Sequence, residues 1–172
     1  MAALVVAAAA PAADKVDNPA YKSWAQYKPG TVVVTKTTSE VGGMKSEVSM
    51  TSTLAEVTAD KVVVEVITAT KVNGMEFKGP AVKQDIPRQY DAPKGGAADP
   101  KGAKPEGKTE DGTKKMKVGG TEFDCKWVKY SGTGADSETT TSDAMPGMMV
   151  KSVTKAGAVT STTEVVEVTL KK

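Results

Sequence analysis

The chain has 172 residues, and 23 Lys and Arg against 21 Asp and Glu leave a net charge of +2. So even a balance argues against a nucleic-acid binder, whose phosphate contacts need clustered cations. The absence of histidine excludes every His-based triad and His metal site, while 23 Val and 21 Thr favour pleated sheet over helix.

Residues 1–13 are uncharged and mostly Ala and Val. They are too short for a membrane-spanning helix, which takes about 20 apolar residues. Ala10-Pro11-Ala12 supplies the small residues of an A-x-A-type cleavage site, and Asp14-Lys15 opens a polar segment behind it. This is the pattern of the end of a secretory signal peptide, which predicts a periplasmic or secreted protein. No Lys or Arg precedes the run, so an upstream start or a plain Ala-rich terminus is the alternative. No other segment is long and apolar enough to cross a membrane. Residues 14–172 are expected to fold as one antiparallel β domain.

Asn18 to Lys28 reads as one or two helical turns, with Asn18 as N-cap, Pro19 at the first helical position and Pro29-Gly30 as the stop. Tyr21, Trp24 and Tyr27 recur every third residue. They form either a plug over one end of the core or an aromatic face for stacking a sugar.

After Gly30 the period changes from three to two. Strands are predicted over Thr31–Thr38, Met44–Val57, Lys61–Val72 and Met75–Lys78, with turns at Val41-Gly42-Gly43, Thr58-Ala59-Asp60 and Asn73-Gly74. The last pair is the preferred one for a two-residue type I′ hairpin, whose two central positions both need positive φ. Residues 91–112 carry Pro, Gly, Ala and charges but no large apolar side chain, which predicts a flexible loop. Beyond it come Thr113–Val118, Thr121–Tyr130, Ser137–Ala144, Met148–Thr154 and Val159–Leu170. The expectation is a mainly β fold, an antiparallel meander of eight or nine strands forming a curved half-barrel or a sandwich.

Candidate chemistry is sparse. Cys125 lies mid-strand between Phe123 and Trp127 with no His to activate it, so it reads as a small buried apolar residue. Among the carboxylates, Glu65 and Glu164 interrupt apolar strands, but no spacing singles out an acid–base pair. Asp136, Glu138 and Asp143 do not make a calcium loop, and no phosphate-binding glycine pattern appears. No enzyme activity, cofactor or metal is expected. Met145, Met148 and Met149 around Pro146-Gly147 form a soft cluster that either lines an apolar cavity or fills the core.

Several short stretches carry a resemblance. Trp24 and Tyr27-Lys28-Pro29-Gly30-Thr31-Val32 come first, then Thr53-Leu54-Ala55-Glu56-Val57 and Phe123-Asp124-Cys125-Lys126. Ser142-Asp143-Ala144-Met145-Pro146-Gly147 with Val150-Lys151 completes the set. Together they resemble a group of small uncharacterised exported bacterial proteins common in planctomycetes. The strand layout is similar to the curved half-barrel of the Lol-type lipoprotein carriers, which hold acyl chains in an apolar concavity. Those carriers close the half-barrel with amphipathic helices, whereas this chain offers only Asn18 to Lys28.

The functional expectation is an exported, non-enzymatic β domain that binds an apolar small molecule or lipid chain on a concave face. Val62, Val64, Val66, Phe123, Trp127 and Met148 are the expected lining, with Trp24 and Tyr27 at the mouth. The alternative is a structural or protein-interaction module of the cell envelope, with a packed core, no ligand and an envelope protein as partner.

Overall fold

A computed structural model describes residues 15–72, 74–91 and 107–172. The apolar run 1–13 lies outside them. The β-branched segments become strands where tight turns, most of them containing glycine, let the chain reverse. In chain order these are β1 (Lys15–Asp17), the helix α1 (Pro19–Ala25), β2 (Val32–Val41), β3 (Met44–Val57), β4 (Lys61–Val72) and β5 (Met75–Lys78). Next come β6 (Val82–Pro87), β7 (Gln89–Asp91), β8 (Gly107–Val118), β9 (Thr121–Gly132), β10 (Ala135–Thr141), β11 (Met149–Ala156) and β12 (Val159–Thr169).

Ten strands form one antiparallel sheet in the order β5-β4-β3-β2-β12-β11-β10-β9-β8, with β6 also on β4. The first part of β4, Lys61 to Val66, pairs with β6, and its last part, Ala69 to Val72, pairs with β5. β1 and β7 make a separate two-stranded ribbon. The sheet is therefore two meanders, β2 to β6 and β8 to β12, joined where β12 runs antiparallel to β2 from Val159 opposite Val41 to Thr169 opposite Val32. It stays open, with β8 at one edge and β5 and β6 at the other.

One face is apolar at one end of the strands. Val33 and Thr35 of β2, Leu54 of β3, Val62 and Val64 of β4, and Val165 and Val168 of β12 are all buried there. On the opposite face, Lys36 meets Glu47 at 3.0 Å and Lys151 meets Glu164 at 3.2 Å. Register shifts at Leu54/Glu56, Thr140/Thr141 and Val165/Glu167 fall in this packed end, where bulges bend strands and increase twist. The sheet curls: a Cβ on Gly119, in the β8–β9 turn, would sit 3.0 Å from the backbone nitrogen of Val168. That approach brings Val118, Phe123 and Cys125 into the same core as Val168.

Three short strands, β1, β6 and β7, were not anticipated, because their polar, proline-bounded sequences lack a clean apolar alternation. The expected loop 91–112 is corrected at both ends. Asp91 closes β7 and Gly107 to Gly112 belong to β8, while residues 92–106 lie outside the described ones. Gly107–Gly112 form a strand without apolar side chains of their own by pairing with β9, whose aromatic rings lie against its two glycines. Trp127 stands opposite Gly112, where a Cβ would come within 2.9 Å of its ring, and a Cβ on Gly107 would meet the Tyr130 ring at 2.6 Å. The Ser137–Ala144 strand ends early, at Thr141, and Met148 sits in the following turn rather than opening β11. Gly74 has the positive φ expected of the β4–β5 hairpin and Val72 pairs with Met75; Asn73 itself lies outside the described residues.

Candidate functional site: a half-covered sheet face

α1 is built to be pinned across the apolar face. The Asn18 side chain accepts from the Ala20 amide at 3.0 Å, capping the helix. Its own amide donates to the Arg88 carbonyl at 2.8 Å and its side-chain nitrogen to the Pro87 carbonyl at 2.9 Å, which ties the helix start to the end of β6. The Tyr21 hydroxyl donates to the Thr58 carbonyl at 2.8 Å in the β3–β4 turn. Between these anchors Trp24 points into the core and is only 4% exposed.

A second cover comes from the turn 142–148. Its chain folds on itself through Met145 N to Ser142 O and Met148 N to Met145 O, with Gly147 and Met148 both at positive φ. Three bonds lock it to the helical segment. Gln26 donates to the Asp143 carbonyl at 2.9 Å, Tyr27 donates its hydroxyl to the Ala144 carbonyl, and the Gly147 amide donates to Ser23 Oγ at 3.0 Å. Met145 is fully enclosed.

Beneath this two-part cover lies a hollow of about 160 Å³. Trp24, Pro146, Gly147 and Met149 form its roof, and Val33, Met50, Val64, Val66 and Val165 are among its sheet-side lining. The cover ends there, but the apolar face does not. Along β4 the same-face residues are Val64, Val66, Thr68, Thr70 and Val72. Their register partners are Gln84 and Leu54, Val82 and Ser52, Met50, Phe77 and Val48, and Met75 and Ser46. Val82, Met75 and Phe77 are each about 60% exposed. Met50 and Val66 thus belong both to the hollow and to an uncovered apolar strip. From Val66 to Val72 that strip runs roughly 20 Å along the sheet.

Beside the strip the same face turns polar. Thr37 and Thr163 share a hydroxyl hydrogen bond at 3.0 Å, and Ser39 and Ser161 share one at 3.3 Å, across the β2–β12 junction. These pairs satisfy each other and separate the strip from the β8–β11 side of the sheet.

The sequence-predicted lining residues divide. Val64 and Val66 line the hollow with Trp24. Val62, fully buried, is core next to it. Phe123 does not reach the hollow. It is buried with Cys125 under the β8–β9 end and lines a separate groove of about 510 Å³, largely apolar inside, whose sides also carry Lys114, Lys115, Lys126 and Asp143. Trp127 packs over Gly112, and Met148 lies on the outer side of the cover with Pro19, Lys22 and Gln26. The expected mouth position is corrected for Trp24 and Tyr27: both are buried, Trp24 as roof and Tyr27 as the hydrogen-bonded strut behind it. Sequence reasoning missed Met50, Met75, Phe77 and Val82. The signal available for two of them was the Asn73-Gly74 turn, since pairing Val72 with Met75 puts Met75 and Phe77 on the face of Val66.

Titratable groups at the cover and core are tuned by burial. Burial pushes the Tyr27 hydroxyl above the ordinary tyrosine range. Burial also pushes the Cys125 thiol up, opposed by the nearby Lys114 ammonium. Among the described residues no three His, Cys, Asp or Glu side chains converge as metal ligands, and no helix is long and apolar enough to cross a membrane. No protein-family model matches the chain, and no curated protein is significantly similar to it.

Proposed function

We propose that this protein is an exported, non-enzymatic β domain that holds an elongated apolar molecule, such as a lipid acyl chain, along the half-covered sheet face. The observation that carries this reading is the continuity of the Trp24-roofed hollow with the exposed strip through Met50 and Val66. One end of a chain would enter under the cover and the rest would lie along β4 toward Met75 and Phe77. The hydroxyl pairs at Thr37 and Ser39 bound the strip on one side. The layout accords with the likeness to carriers that hold acyl chains on a curved open sheet. Export rests on the small-residue site Ala10-Pro11-Ala12, and a purified protein whose mass retains Met1 removes it.

A second reading, a structural or interaction module of the cell envelope with no ligand, is favoured by the size of the hollow. About 160 Å³ is below the roughly 300–1,000 Å³ usual for small-molecule sites. Palmitate titration separates the two. In a Trp127→Phe background Trp24 is the sole indole, and binding produces a saturable shift of its emission. At a hundredfold excess over Kd, the melting temperature rises by about 5–10 °C. Val66→Asp abolishes both responses. An unchanged emission together with an unchanged melting temperature establishes the ligand-free module instead.

A further inference from the structure

β5 is a four-residue outer strand with a fixed phase. Gly79 N donates to the Thr68 carbonyl at 2.8 Å, and Phe77 and Met75 stand opposite Thr70 and Val72. In an antiparallel ladder backbone groups alternate in direction. Met75, Phe77 and Gly79 therefore turn their N–H and C=O toward β4, and Glu76 and Lys78 turn theirs outward. Among the described residues no strand takes up those outward groups. The side chains alternate as well. Met75 and Phe77, each 61% exposed, lie on the apolar face, while Glu76 and Lys78 lie on the other and form no ion pair among the described residues.

We propose that two copies of this chain join edge to edge through β5, antiparallel, about a two-fold axis at Phe77. The phase fits that register. Glu76 of one copy faces Lys78 of the other as a hydrogen-bonded pair, so the outward N–H and C=O groups of both residues find partners. Each such pair also sets a carboxylate against an ammonium, twice over by symmetry. Phe77 faces Phe77 in the intervening non-hydrogen-bonded pair, where side chains approach most closely. The two apolar strips then lie on the same side of one continuous sheet.

The other edges do not offer this. β8 carries Lys108, Glu110, Lys114 and Lys115, all four already held in ion pairs. β6 turns the backbone of Lys83 and Asp85 outward, but Asp85 is already held by Lys61 at 2.6 Å, and Pro87 at its end has no amide to donate. Pro80 also limits the paired segment to β5, so the dimer is weak and strongly concentration-dependent. The contact involves neither the hollow nor its cover; Phe77 also ends the strip, so the dimer is read in ligand-free protein, where its failure is distinguishable from a failure of ligand binding.

Sedimentation velocity of the full chain from micromolar to millimolar concentration tests the register. The unmodified protein shows a monomer–dimer equilibrium. Glu76→Lys alone sets four ammonium groups together and Lys78→Glu alone sets four carboxylates together; each weakens association at least tenfold. An equimolar mixture of the two single variants recovers the dimer, and so does the double variant Glu76→Lys/Lys78→Glu. Circular dichroism matching the parent in all three shows that the fold is intact. A parent that stays monomeric at millimolar concentration overturns the proposal. So does a dimer indifferent to the single reversals, or one that mixing fails to restore.

Discussion

Cys125 shows how one residue's chemistry follows from its neighbours. It is 2% exposed, its Sγ donates to the Phe123 carbonyl at 3.5 Å, and burial holds its thiol above the ordinary range. A thiol must ionise to react, so the native protein is expected to resist a thiol-specific reagent at pH 8 and to react fully once denatured. The same burial makes stability depend on pH. Between the unfolded thiol's value of about 8.5 and its higher folded value, the unfolded chain carries fewer protons than the folded one. The Cys125 contribution to unfolding free energy is therefore steady below about pH 8.5 and declines above it, with Tyr27 adding to the decline beyond about pH 10. Denaturant titrations across pH 7–11 read this directly, and Cys125→Ala flattens the first part of the slope. Cys125 was legible from sequence, because its place between Phe123 and Trp127 and the lack of histidine both point to burial. Trp24 and Tyr27 were legible only as a stripe. Tyr27 depends on the Ala144 carbonyl, and Trp24 shares its roof with Pro146 and Gly147, all more than a hundred residues away, and no local pattern encodes that pairing.

At the level of single elements, the strands that composition missed are those whose apolar cover comes from somewhere else. β8 begins with Gly107 and passes through Gly112, and the rings of Tyr130 and Trp127 on β9 lie over them. Read alone, that stretch lacks any side chain to offset its ordering entropy; read with its partner, it gives two half-buried aromatic rings a surface to lie on. The close approach has a measurable cost attached. Gly112→Ala forces the Trp127 ring aside and is expected to destabilise the fold by about 1–3 kcal/mol. In the Trp127→Ala background the same change costs close to nothing, and a double-mutant cycle by denaturant unfolding reads the difference. By contrast, β2, β3, β4, β11 and β12 were readable because Val and Thr alternate over a full strand and glycines mark their ends. The strip at Met50, Phe77 and Val82 escaped notice because its residues lie on four strands, and only the register brings them side by side.

For the molecule as a whole, the long strands pass through two environments. Their packed end holds Leu54, Val62, Val64 and Val165, while the hairpin tips near Gly42, Gly74 and Gly157 carry exposed residues on both faces. Stability should fall along each strand rather than between strands. Amide exchange tests this: Val33, Val64 and Val165 are expected to exchange only through global unfolding. Val41, Met44, Val72 and Val159, on the same strands, exchange by local opening, faster by orders of magnitude. Uniform protection along β2 and β4 is the result that contradicts this gradient.

The junction between β12 and β2 has a consequence for the order of events during synthesis. Every other neighbouring pair in the main sheet is close in sequence, so each meander can zip up as it leaves the ribosome. The strand that unites them, β12, emerges after every other described strand of the sheet. Until Val159 to Thr169 arrives, β2 and β11 are both raw edges rich in Val and Thr, and Val33 has no Val168 to meet. A chain whose β11 has left the ribosome while β12 is still inside it thus displays two unfinished sheets. Holding them apart until the closing strand appears is a task for whatever escorts the nascent protein.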